Sequence, residues 1–166
     1  MNRKQFMRTG IVTALFPAMT LRAGTQMGTD EKLDPLLVKE FVGKAHTDID
    51  RVKVLLANHP TLLNAAHDWK RGDFETALGA ASHVGNKEIV NFLIASGAQT
   101  NIFTACLFGQ LEVVKSLIQL FPDTLHALGP HGFTLLHHAE RGGDENQELV
   151  KYLKGLGLTR TKVTLY

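Results

Sequence analysis

Four stretches of this chain space their large apolar residues as a helix does. Val52 precedes Leu55 and Leu56, Val90 precedes Leu93 and Ile94, Val114 precedes Leu117 and Ile118, and Leu149-Val150 precede Tyr152-Leu153. Steps of three and four put each set on one helical face. A shorter stretch carrying a small residue lies ahead of each, marked by Ala45, Ala81, Ala105 and Ala139. Three of these open on a threonine, Thr76, Thr100 and Thr134, each nine residues before a glycine, Gly85, Gly109 and Gly143. A threonine hydroxyl can cap the start of a helix, and a glycine can take the left-handed conformation that ends one. The pattern therefore predicts four helical hairpins, at about 34–66, 72–99, 100–128 and 130–158. No one of them can bury its apolar face alone, so stacking must supply the core.

The second unit is the most regular. It runs Thr76-Ala77-Leu78-Gly79-Ala80-Ala81, reaches Gly85, continues Lys87-Glu88-Ile89-Val90 and closes on Gly97-Ala98. This resembles the ankyrin repeat, whose units begin with a Thr-Pro-Leu-His-like tetrapeptide; Ala77 and Gly79 replace its proline and histidine, and His137 keeps the histidine in the fourth unit. The resemblance implies an all-α ankyrin-repeat solenoid of about four helix-turn-helix units over residues 34–158. A longer likeness, from about Phe41 to Leu156, is to a group of bacterial ankyrin-repeat proteins. It rests on His67-Asp68-Trp69, Gly72-Asp73-Phe74-Glu75 and Gly129-Pro130-His131-Gly132, and it implies the fold without an activity.

Spacing departs from the usual repeat of about 33 residues. The interval from Leu55 to Leu93 is 38 residues and that from Leu93 to Leu117 only 24. The first unit is degenerate, with Thr47 where glycine is expected. The connection from Asn64 to Glu75 is long, and the one before the third unit has lost its β-hairpin. Two extra residues enter the fourth unit around Asp144–Gln147. The segment 159–166 is a tail without a repeat signature.

The N-terminus changes the picture of charge. Arg3, Lys4, Arg8 and Arg22 fall before any acid, and without them 14 basic residues face 16 acidic ones. A mildly acidic body without a basic stripe argues against nucleic acid as a partner. The basic start, the apolar run from Ile11 to Leu21 and the small residues at Ala23-Gly24 have the layout of an export signal. They resemble a twin-arginine signal in which Lys4 stands for the second arginine. Residues 1–24 are accordingly expected to direct export to the periplasm or beyond, and 25–33 to be a linker. The alternative is a cytoplasmic protein with an amphipathic N-terminal helix packed on its body. No apolar run reaches the roughly 18–20 residues needed to span a bilayer, so no stable membrane insertion is expected after signal removal.

The resemblance implies another protein as partner, bound by hairpin tips and the concave face of the first helices. On the long connection, Asp68, Trp69, Asp73, Phe74 and Glu75 offer an aromatic pair between carboxylates, which can anchor a partner. The opposing expectation has Trp69 and Phe74 folding under the loop to fill the gap of the missing third hairpin. Register places His83, Thr104, Leu107, Phe108, His138 and Arg141 along the concave stripe, where a plain solvated helix face is the alternative. His83, His131, His137 and His138 can converge, but no pair has the spacing that sets two ligands on one helical face. The expectation is therefore no metal and no cofactor. Cys106 reads as a packing residue, and no catalytic motif is present. A non-enzymatic protein-binding module of the bacterial envelope follows; the other readings are a small-molecule or metal-linked envelope protein and a cytoplasmic adaptor or chaperone-like protein.

Overall fold

The computed structural model describes residues 32–166. The expected export segment, and the linker up to residue 31, lie outside the described residues. Eight α-helices follow in four antiparallel pairs: α1 (Pro35–Lys44) with α2 (Ile49–Asn58), α3 (Ala77–Val84) with α4 (Lys87–Ala95), α5 (Ile102–Leu107) with α6 (Leu111–Leu120), and α7 (Leu135–Arg141) with α8 (Gln147–Gly155). A short hairpin of β1 (Ala66–Asp68) and β2 (Phe74–Thr76) joins the first pair to the second, with His67 opposite Glu75. Nothing comparable precedes α5, where residues 99–101 run without regular structure.

Local chemistry sets each boundary. Asp34, Asp48, Thr76, Asn86 and Thr134 cap α1, α2, α3, α4 and α7 through side-chain oxygens. At α5 the expected cap, Thr100, is displaced by its neighbour. Asn101 Oδ1 accepts from Phe103 N at 3.0 Å and Thr104 N at 3.1 Å. Without a hairpin to fix the entry, the helix starts one residue later, and an asparagine caps as well as a threonine. Gly85 and Gly109 take positive φ, 80° and 62°, at the turns after α3 and α5. Gly143 also has positive φ, but its ψ of −162° is not left-handed helical; the inserted residues form a separate 3-10 turn, Asp144–Asn146, before α8. Pro60 and Pro122 each open a 3-10 turn after α2 and α6, as expected for a residue that cannot extend a helix.

The core lies between the helix layers in two parts. One is built on α1–α4, around Phe41, Leu78, Ile89 and Leu93, with Leu62 of the turn after α2 and Leu107 of α5; the other on α5–α8, around Leu135, Leu136, Leu149 and Leu153. Between them runs a polar contact from Ser82 Oγ to Thr104 Oγ1, 3.2 Å, with both residues buried. Each apolar pair on α2, α4 and α6 buries one member, Leu55, Leu93 or Ile118; Leu56, Ile94 and Leu117 keep more of their surface.

The missing third hairpin has a consequence for the fourth unit. Its entry turn, Pro130–Gly132, sits directly on the hairpin of the second unit: His131 N and Nδ1 both reach Asp73, at 2.8 Å. The tail then folds back along this turn. Thr134 N donates to Thr161 O, Val163 N to Gly132 O, and Tyr166 Oη to Lys70 O.

Candidate functional site

The hairpin and its neighbours form the most chemically dense part of the molecule. Strand alternation turns Phe74 outward, 62% exposed, and Glu75 inward, 1% exposed. Glu75 is thus a carboxylate inside the fold, where it needs partners. Trp69 Nε1 donates to its Oε2 at 2.7 Å. His83 Nδ1 from α3 stands 2.9 Å from its Oε1, yet neither atom has a well-directed hydrogen bond. His131 Nε2 and His46 Nε2 lie 3.5 and 3.8 Å from Oε2. His46 follows the end of α1, and its Nδ1 bonds to Gly43 O at 3.0 Å. The donor atoms of His46, Glu75, His83 and His131 all lie within 4.8 Å of one another.

Second contacts hold the arrangement. Asp73, itself buried, fixes His131, whose φ of 59° is unusual for a residue with a side chain. The rings of Phe133 and His83 stack at 5.0 Å, and His137 stacks behind Phe133 at 4.0 Å. His137 Nε2–H donates to His83 O at 2.8 Å, tying α7 to α3. Burial raises the Glu75 carboxyl, but the approach of His83 Nδ1, the Trp69 bond and the nearness of the His83 and His131 rings outweigh it and hold the group below its ordinary value. Asp73 follows the same course: burial pushes it up, and the two bonds from His131 bring it lower.

The expected site residues divide. The structure brings Trp69, Asp73, Glu75 and His83 together, adding His46 and His131. Asp68 is exposed and closes the hairpin turn by accepting from Gly72 N at 3.0 Å. The aromatic pair is split, with Trp69 half-buried against Glu75 and Phe74 on the surface, so the expectation that both fold under holds for Trp69 alone. The expected stripe is a packing seam along most of its length. Thr104, Leu107 and His138 are buried because α3, α5 and α7, only six to eight residues long, close over them. Arg141 is exposed. Phe108 is half-buried in an apolar groove of about 600 Å³ that it shares with Ile94, Ile102, Thr104, Val113 and Leu117. Of the four histidines expected to converge, His83 and His131 do.

Beside Phe74 opens a cleft of about 300 Å³, lined by Phe74, Asn101, Phe103, Leu128, His138 and Leu165 among others. His138 donates from Nδ1 to Thr134 O at 2.9 Å, while its buried Nε2 has no partner. Burial pushes this imidazole down to about 4, so near neutral pH Nε2 is an acceptor.

The comparisons with known proteins bear on the helical units. A family model described as ankyrin repeats, three copies, matches residues 80–161. Alpha-latrocrustotoxin-Lt1a of Latrodectus tredecimguttatus is 27% identical over 145 residues, covering 78% of this chain. The chain spans 10% of that relative's length. His46, Trp69, Asp73 and Glu75 fall outside the span matched by the family model.

Proposed function

Since the chain is an ankyrin-repeat protein, of a family whose members are generally protein–protein interaction modules, we propose that it is a non-enzymatic binding module of the bacterial envelope. It grips its partner at the cleft beside the hairpin. The observation that carries this reading is Phe74, an aromatic ring 62% exposed on a loop whose flanking carboxylates are both tied down. A rigid display loses little conformational freedom on binding, so the contact energy of the ring goes into affinity. Burying such a side chain contributes on the order of 2 kcal/mol. Phe103, Leu128 and Leu165 around the cleft extend the apolar surface.

The test is crosslinking capture from the native host with the parent protein and a folded Phe74→Ser variant. A partner held by the parent and lost from the variant supports the reading; equal capture by both removes the hairpin from the interface. The envelope assignment rests on the N-terminal pattern. N-terminal sequencing of the native protein is expected to give a mature start near Gly24, and an intact Met1 or Asn2 start would remove it.

A further inference from the structure

The geometry points to a binding site for one divalent transition-metal ion of the zinc class, made by His46, Glu75, His83 and His131. The set is buried or half-buried, and it is drawn from the first, second and fourth units. Three imidazoles and a carboxylate, with no thiolate, suit zinc and its neighbours in the first transition row; an oxygen-only set would suit calcium or magnesium.

One nitrogen of each imidazole faces Glu75: Nε2 of His46, Nδ1 of His83 and Nε2 of His131. His46 Nδ1 is bonded to a backbone carbonyl and His131 Nδ1 to the Asp73 carboxylate. Both partners can only accept, so in each ring Nδ1 carries the hydrogen. In the neutral rings, Nε2 of each then presents a lone pair, and both lone pairs face the Glu75 carboxylate at 3.8 and 3.5 Å. Lone pairs and an anion facing one another at that range repel unless a positive charge stands among them. His83 Nδ1 and Glu75 Oε1 show the same need, standing 2.9 Å apart as buried atoms without a directed bond. A metal ion at the common centre satisfies all four groups at once.

The surroundings match what metal-ligating histidines require. A ligating imidazole usually donates its other nitrogen to a carboxylate or carbonyl, which fixes its tautomer and aim. His131 has the carboxylate and His46 the carbonyl. Trp69 donates to Glu75 Oε2 and so fixes the plane of the carboxylate. In a tetrahedral zinc site with bonds of about 2.0–2.1 Å, donor atoms stand about 3.3 Å apart. His131 Nε2 and His46 Nε2 stand 3.5 and 3.8 Å from Glu75 Oε2, and His83 Nδ1 stands 2.9 Å from Oε1; with one donor atom from each residue the four lie within 4.8 Å of one another, a spread that small side-chain rotations close. Four protein ligands fill a tetrahedron, so the ion is structural and clamps the hairpin between the ends of the stack. The competing arrangement places a proton on one imidazole and no ion at the centre.

The test starts with full-length protein freed of metal by a chelator and titrated with Zn2+ against a chromophoric competitor. One ion per chain is expected, with a Kd below about 1 μM and a rise in Tm of roughly 5 °C or more in excess zinc. His131→Ala and Glu75→Gln should weaken binding at least about 100-fold. Asp73→Asn, which only positions His131, should weaken it about 10- to 100-fold. His59→Ala and His126→Ala, on exposed residues, should leave it unchanged. Because cluster variants can misfold, Co2+ bound to the parent gives a second readout. It should show the visible band of tetrahedral cobalt and broaden the ring signals of His46, His83 and His131 in NMR. A parent that takes up no stoichiometric ion, or cobalt broadening confined to exposed histidines, would overturn the proposal.

Discussion

Asn146 is the residue whose removal should cost the fold most for its size. It sits in the inserted 3-10 turn before α8, 3% exposed. Its Nδ2 lies 2.9 Å from Cys106 O, 2.9 Å from Leu107 O and 3.0 Å from Ala139 O. Those carbonyls belong to the last turns of α5 and α7, where helices leave acceptors unpaired. Cys106 O and Ala139 O have other donors in Gly109 N and Gly142 N, but Leu107 O depends on Asn146. Asn146→Ala removes about two net hydrogen bonds at ~1 kcal/mol each and strands a buried carbonyl at ~1–3 kcal/mol. A water entering the space recovers part of this, so the expected loss is about 2–4 kcal/mol. That is a large share of the roughly 5–15 kcal/mol of a typical domain. Asn146→Asp keeps the size but turns an anion toward three carbonyls, so it should be worse than alanine at pH 7 and recover as the carboxyl is protonated. Urea unfolding followed by circular dichroism, at pH 7 and pH 5, measures both. A loss below about 1 kcal/mol for alanine, or an aspartate variant as stable as the parent, would refute the reasoning.

Three further outcomes follow from the same coordinates. A Cβ at Gly109 would meet Asn146 Oδ1 and would also sit at positive φ, so Gly109→Val should lower Tm markedly. Part of that loss should vanish in an Asn146→Ala background, and strict additivity in a double-mutant cycle would count against the contact. His138 is held at about 4 when folded against 6.5 for a free imidazole, so between those values the unfolded chain takes up a proton that the folded one refuses. Stability is then fully present above pH 6.5 and falls with acid, by about 2 kcal/mol from pH 7 to pH 5, and His138→Gln should flatten that slope in urea titrations. Burial pushes the Cys106 thiol up to about 12, so labelling by a thiol reagent should track the unfolded fraction as urea is added; immediate full labelling in native buffer would contradict its burial.

The helices were legible in the sequence because their signals are local. Apolar steps of three and four, hydroxyl caps and glycines nine residues on are properties of a single unit, and the units form where those signals lie. Thr100 shows the limit, since the landmark was present but the hairpin that would have fixed its register was not. The concave stripe was misjudged because exposure depends on how closely short first helices approach, and Thr104, Leu107 and His138 vanish into that seam. The histidine cluster was legible only in part. Alternation in β2 could have sent Glu75 inward opposite Phe74, and the Gly-Pro-His-Gly turn singled out His131. His46, in a degenerate unit and outside any helix, carried no signal that it would meet a turn in the fourth unit. That meeting is a product of stacking across the lost hairpin.

The returning tail bears on how the protein is made. Lys70 O in the hairpin turn is covered by Tyr166, 96 residues further along, and the entry turn of the fourth unit is bracketed by Thr161 and Val163. A ribosome adding about 5–20 residues per second needs roughly 5–20 s to span that gap. Through that interval the nascent hairpin stands with its turn uncovered and its buried carboxylates waiting for histidines not yet synthesised. The hairpin therefore cannot complete its contacts until Tyr166 is in place.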